Sequence, residues 1–324
     1  QLCHPTMGIT DVEHIENYDN GIIGTGPYKI EEFNGVGVGY TLAANEYYRE
    51  DVPYDKINLL FMGDNSAKTM ALQSGQVDLV ENITNVADIQ DFQDNDDYTV
   101  DIASGVRCGF AWMNFDGVLG NKTLRQAILM AIDNDTICNS RTIGGLYTPG
   151  FSVLPSTLNY DYDKLENPYT YDPEGAKKLL DDAGIVDTDG DGIREYNGKN
   201  LSYKAECPTG WSDWNATLEI VAAAGKNIGI NIETYFPEAA NYSTDYSTGN
   251  FEITMQSGPG TSVANPYMRC RFFMSSDYND LEVNFSGNFG HYQNDRVDEI
   301  LAAIPHETDD AKLKDYYTEL SKIM

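Results

Sequence analysis

The 324-residue chain has 21 Lys plus Arg against 51 Asp plus Glu, a formal net charge of −30. Such a surface repels phosphate backbones and anionic lipid heads, which argues against nucleic-acid binding. The acidic residues are spread along the chain with no long acidic tail, and they read as a solvated exterior. A hydrophobic fraction of 41%, with 12 Phe and 22 Tyr, suffices for a sizeable core, and the length sets a prior of about two domains.

In chain order, "PYKIEEFNGVGVGYTLAAN" (27–45) predicts two strands around a Gly-rich turn, and "INLLFM" (57–62) a short apolar strand. Ser66 then caps a helix to about Ser74, followed by a strand over "QVDLV" (76–80). "GFAWMNF" (109–115) is another strand. "TLRQAILMAIDND" (123–135) is a helix, with Leu124, Ala127, Ile128, Ala131 and Ile132 on one face. "YDPEGAKKLLDDAG" (171–184) supplies its own limits: Asp172 as N-cap, Pro173 at the first helical position and Gly184 just beyond the end. "REYNGKNLSYKAE" (194–206) is a hairpin around Asn197-Gly198. A helix over about 213–227, strands at 230–236 and 251–258, and helices over about 294–304 and 308–323 complete the pattern. Alternating helices and strands predict a two-domain α/β architecture, divided near residue 105.

No apolar run approaches the roughly 20 residues of a membrane helix. No signal peptide is visible. The chain starts without Met and stops inside a helical pattern at "ELSKIM", so it reads as a piece of a longer protein. Five widely separated cysteines contain no CxxC pair for zinc or redox work and read as free thiols.

Several motifs admit both a chemical and a structural reading. "DTDGDGIRE" (187–195) places Asp187, Asp189 and Asp191 at positions 1, 3 and 5 of a calcium loop, but position 12 is Gly198 and a hairpin comes next. It is read as a turn. Four scattered histidines, with no HExxH and no GxSxG, argue against an enzyme and against a metal or cofactor site. "GIIGTGPYKI" (21–30) lacks the spacing of a dinucleotide-binding loop.

"CPTGWSDW" (207–214) holds two of the three tryptophans around one carboxylate. Gly210 permits a sharp turn, Ser212 is an N-cap candidate and Asp213 suits the first helical turn. Trp211 and Trp214 then form either a hydrophobic staple or a platform for a sugar ring, with Asp213 accepting from hydroxyls. The residues alone leave both open. Trp112 beside Asn114 is a second stacking and amide pair.

Along nearly the whole chain, "GTGPYKI", "ALQSGQVDLV", "WMNF", "LRQAILMAID", "YDPEGAKKLLDDAG" and "NIGINIE" resemble, in order and spacing, the family 5 extracellular solute-binding proteins of ABC importers. That group includes oligopeptide-, dipeptide- and nickel-binding proteins. The resemblance implies a type II periplasmic-binding-protein-like α/β fold whose two lobes have mixed sheets flanked by helices. Residues 1–105 would form an incomplete first lobe, with 306–324 returning to it, and 106–305 the second lobe. Truncation at both ends is expected.

Within the family, "GWSDW" and "GNFGHYQNDRVDEILAAIP" (287–305) are similar to the branch binding cello- and manno-oligosaccharides. The peptide-binding branch tends to carry Asp-x-x-Asp-Pro, whose first Asp meets a peptide ammonium. Here "SVANP" puts Ser262 and Asn265 at the two Asp positions. The resemblance therefore implies an oligosaccharide carrier that closes on its ligand and docks on an ABC permease without chemistry. It implies an extracytoplasmic monomer, either a cell-surface lipoprotein of a Gram-positive cell that meets the membrane only through an N-terminal lipid anchor, or a periplasmic protein. The expected contacts are Trp211, Asp213 and Trp214, with Trp112, Asn114, Asn265 and Tyr267 as further candidates. An oligopeptide-binding protein is the same-fold alternative, and a secreted glycoside hydrolase the more distant one.

Overall fold

In the computed structural model the described residues are 24–35, 37–102, 109–140, 144–145, 150, 154, 167, 169–257 and 266–323. The chain groups into two units that divide between Leu79 and Val80.

In the first unit, β1 (Tyr28–Phe33), β2 (Gly39–Ala44) and β3 (Lys56–Leu60) form an antiparallel sheet in that order. Helix α1 (Asn65–Gln73) comes after them. Its cap is Asp64, which accepts from the Ala67 N–H at 2.7 Å, in place of the expected Ser66. The expected strand over 76–80 does not form. Leu79 is 74% exposed there, with no neighbouring strand among the described residues to satisfy a backbone ladder.

The second unit opens with α2 (Val86–Gln93), which the acidic sequence around it concealed. It continues with β4 (Gly109–Met113), α3 (Lys122–Ala131) and α4 (Asn134–Cys138). The single helix expected over 123–135 breaks because the Asp133 carboxylate caps a new turn, accepting from the Thr136 N–H. Helix α5 (Pro173–Asp182) has the predicted limits: Asp172 accepts from the Gly175 N–H, and Gly184 sits at φ +71°. Asn197 and Gly198, at φ +53° and +74°, join β5 (Glu195–Tyr196) to β6 (Lys199–Asn200). Then come β7 (Ser202–Glu206), α6 (Ser212–Asn227), β8 (Asn231–Tyr235), α7 (Ala239–Ser247) and β9 (Ile253–Ser257). Helices α8 (Pro266–Met274), α9 (Asp295–Ala303) and α10 (Asp310–Ile323) close the chain.

The central sheet has the order β4-β9-β7-β8. β7 runs parallel to β8 and β9, and β4 antiparallel to β9. Alternate residues along a strand face opposite sides, so neighbouring β4 residues serve two cores. Met113 packs with Leu124, Ile128, Leu180, Leu218 and Ile253 under α3, α5 and α6. Trp112 packs with Phe273, Phe289, Val297, Ile300 and Leu320 under α8, α9 and α10.

Val86 lies against the turn at Gly144, where an added Cβ would come within 2.6 Å of its Cγ2. Both residues belong to the second unit, which begins at Val80. The closing helix packs Tyr317 and Leu320 into the core that holds Trp112 and Phe273. Among the described residues no helix is long and apolar enough to cross a membrane.

Gly225 marks the closest approach of α6 to β8. A Cβ there would lie 2.7 Å from Ile232 Cδ1 and 2.9 Å from the Ile230 carbonyl oxygen. On an exposed helix, Gly→Ala gains up to about 1 kcal/mol. Here the sign should reverse, and Gly225→Ala should cost about 1–3 kcal/mol through overpacking. A urea midpoint that rises in the variant would disprove this close packing.

Candidate ligand-binding site

The site is built where β7 ends and α6 begins. Cys207 and Pro208 leave the strand, and the Thr209 N–H bonds the Pro237 carbonyl at 2.9 Å. Gly210 then turns at φ +76°. Asn215 fixes the turn from inside the helix, its Nδ2 donating to Cys207 Sγ at 3.0 Å and to the Pro208 carbonyl at 2.9 Å. The cap position is Trp211, not Ser212, and no side chain caps the helix there.

Residues three apart on a helix project about 60° from one another, and residues two apart about 160°. Trp211 and Trp214 therefore share a side, while Asp213 turns away. The two indoles meet edge to face, with centroids 4.9 Å apart at 67°. Trp214 is half-buried against the core, and Trp211 is 36% exposed. The pair thus combines both sequence readings, one ring packing and the other presenting surface. Asp213, expected beside ligand hydroxyls, is only 6% exposed.

The other candidates lie as follows. Trp112 is 8% exposed in a ring cluster, stacked on Phe273 at 5.1 Å, with its Nε1 buried and, among the described residues, without a hydrogen-bond partner. It is a core residue. The Asn114 amide donates to the Gly249 and Phe251 carbonyls, at 3.0 Å each, and accepts from the Asp116 N–H. This pins β4 to the approach to β9. Tyr267 is half-buried at the start of α8, packed on the second core. Asn265, like Ser262, lies outside the described residues.

Aromatic residues that the sequence reading missed connect these stretches. Trp211 is 6.4 Å from Tyr242, Tyr242 is 5.1 Å from Tyr246, Tyr246 is 5.1 Å from Phe289, and Phe289 is 5.1 Å from Trp112. Tyr242 and Tyr246 stand four apart on α7, the spacing of helical neighbours, which was the available signal.

Beside this run lies a cavity of about 430 Å³, lined by Lys204, Glu206, Tyr235, Asp245, Gly249, Asn250, Phe251 and Glu252. Glu206 ends β7 in register with Thr254 and Tyr235 and is 2% exposed. Burial, then the charge of Asp245, pushes its carboxyl up to about 7, with Thr254 and Lys204 opposing. Burial likewise pushes the Cys207 thiol up to about 12, so it is not a nucleophile near neutrality. Among the described residues, Asp187, Asp189 and Glu195 bring ligand atoms within 4.8 Å of one another. Their carboxylates accept from backbone N–H groups of the same loop, Asp187 from Gly190 and Gly192 and Glu195 from Thr188. These bonds build the turn into β5.

The sequence profile of the bacterial extracellular solute-binding proteins, family 5 Middle, matches residues 5–280. The chain belongs to this family. Among curated relatives, the oligopeptide-binding protein AppA of Bacillus subtilis is 29% identical over 232 residues, 71% of this chain and 42% of that protein. The mannohexaose-bound periplasmic oligopeptide-binding protein of Thermotoga maritima is 26% identical with a TM-score of 0.80, covering 97% of this chain and 61% of that one. The Campylobacter jejuni protein NikZ, in complex with Ni(L-His), gives 22% and 0.83, covering 99% and 66%. The family member thus has the type II periplasmic-binding-protein-like α/β fold. It spans about two-fifths of AppA and three-fifths of the Thermotoga chain.

An ordinary Glu ionises near 4.5, and Glu206 in the folded chain near 7. A raised carboxyl favours folding below the lower value and loses that advantage as pH rises through the upper one, on the order of 3 kcal/mol here. Glu206→Gln should therefore gain melting temperature over the parent at pH 8 relative to pH 5. An equal difference at both values would show that Glu206 ionises without cost.

Proposed function

We propose that this family 5 chain serves as the solute-binding component of a bacterial ABC importer, working outside the cytoplasmic membrane and handing its ligand to the permease. We infer further that the ligand is an oligosaccharide, of β-gluco or β-manno type. The observation that carries the reading is the exposed Trp211 ring, held edge to face by Trp214 on a locked turn. A rigid, solvent-facing indole matches the apolar C–H face of a pyranose. Ser262 and Asn265 in place of two carboxylates also favour a ligand rich in hydroxyls. The mannohexaose-bound relative supports the same ligand class. The role is binding and release, without chemistry.

The similarity to AppA supports an oligopeptide as the second reading. Calorimetric titration with cellotetraose, mannobiose and a pentapeptide pool separates the two. Saturable heat with one sugar class and none with peptides is expected. Trp211→Ala should weaken that sugar by more than about 1 kcal/mol, as loss of a good aromatic contact does. Heat with peptides alone would replace the sugar reading by the oligopeptide one.

A further inference from the structure

We infer that Tyr242 is the positioning residue of the Trp211 platform. From the first turn of α7 it fixes the plane of an indole that would otherwise swing beside Gly210. The inference deepens the proposed function and takes from it that Trp211 meets the solute.

The first support is the way the Trp211 turn is suspended. Asn215 holds the chain ahead of Gly210, through Cys207 Sγ and the Pro208 carbonyl. The Thr209 N–H bonds the Pro237 carbonyl, two residues before α7 begins. Gly210 then turns at φ +76°, and glycine has the widest backbone freedom of any residue. No side chain caps α6 at Trp211 itself. These bonds hold backbone, and the side-chain torsions of Trp211 are left to the rings that touch it.

The second support is where those rings stand. Trp214 meets Trp211 at 4.9 Å and 67°, and Tyr242 meets it at 6.4 Å and 53°. Both centroid distances lie within the range of attractive aromatic pairs. Trp214 belongs to the same helix, three residues on, so it moves with Trp211. Tyr242 belongs to α7 and refers the indole to a separate element.

The third support is that Tyr242 is itself held from several sides. It is 4% exposed. Its N–H bonds the Glu238 carbonyl at 3.0 Å, and its hydroxyl donates to the Met255 carbonyl. Burial keeps that phenol protonated and therefore able to donate. Met255 comes one residue after Thr254, the last β9 residue in register with β7. The hydroxyl thus reaches the sheet just past the point where β7 leaves it for the Trp211 turn. Tyr246, one turn further along α7, packs on the Tyr242 ring at 5.1 Å. One buried phenol therefore ties α7 and β9 to the ring that faces solvent. Phenylalanine there would keep the ring and lose the bond to the sheet, and leucine would lose both.

The test first reads the ring without a ligand, in the full chain. The Trp211 signal is the difference in fluorescence between each variant and the same variant carrying Trp211→Phe. Acrylamide should quench that signal more steeply in Tyr242→Leu than in the parent, with Tyr242→Phe between them. Phe273→Leu removes a buried ring that stacks on Trp112 and serves as the control for lost stability alone. It should leave the Trp211 signal unchanged. Calorimetry with cellotetraose and mannobiose follows. Tyr242→Leu should weaken whichever sugar the parent binds by about threefold or more, the worth of one aromatic contact, and Phe273→Leu should not. A Trp211 signal unmoved in Tyr242→Leu, or moved equally in Phe273→Leu, would overturn the inference. So would parental affinity in Tyr242→Leu where Trp211→Ala loses it, and that result would leave the proposed function standing. Steeper quenching in Tyr242→Leu with no sugar bound by the parent would overturn the sugar reading and keep the positioning role.

Discussion

Parallel pairing of β7 with both β8 and β9 is the constraint on which the second unit depends. It sends β7 and β8 out of the sheet in the same direction, so the loops beyond them gather at one end. In open α/β sheets, ligands collect beyond the carboxyl ends of the strands. The Trp211 turn and the Glu206 cavity both lie at that end. The strict alternation of side chains gives this geometry its chemistry. Odd and even residues of one strand are committed to different cores, so Ala205 packs inward with Ile253 while Glu206 lies beside Thr254. A slip of one residue would exchange an apolar core position for a carboxylate, which makes the register of β7 unusually well determined.

Local punctuation was the most legible part of the fold. Asp172-Pro173 with Gly184, and Asn197-Gly198, act through their own backbone preferences, and no tertiary contact had to be known. Helix faces with clean apolar periodicity, such as Val297, Ile300 and Leu301, were equally readable. What escaped depended on competition between neighbours. Asp64 displaced Ser66 as a cap, and Asp133 cut one helix into two, because several capping residues stood within reach of the same N–H groups. "QVDLV" has the composition of a strand but no ladder to join among the described residues.

The candidate site was legible only in part for the same reason. Trp211 and Trp214 could be found because they crowd one helix turn. Whether an aspartate beside them faces solvent depends on how the helix packs, and Asp213 is buried there. Asn114 looked like a ligand-facing amide because nothing in sequence reveals carbonyls 135 and 137 positions away. Glu206 was unremarkable among 51 acids, and only the fold separates a buried carboxylate from the solvated ones.

The aromatic run has an optical consequence. Its two ends are indoles in opposite surroundings: Trp112 buried, with no partner for its Nε1 among the described residues, and Trp211 at the solvent boundary. An indole's emission shifts to longer wavelength when polar surroundings relax around its excited state. Trp112 should therefore emit at the blue edge of the spectrum and Trp211 at the red edge. The chain carries its own internal standard, with one chromophore indifferent to what touches the surface and another placed to register it.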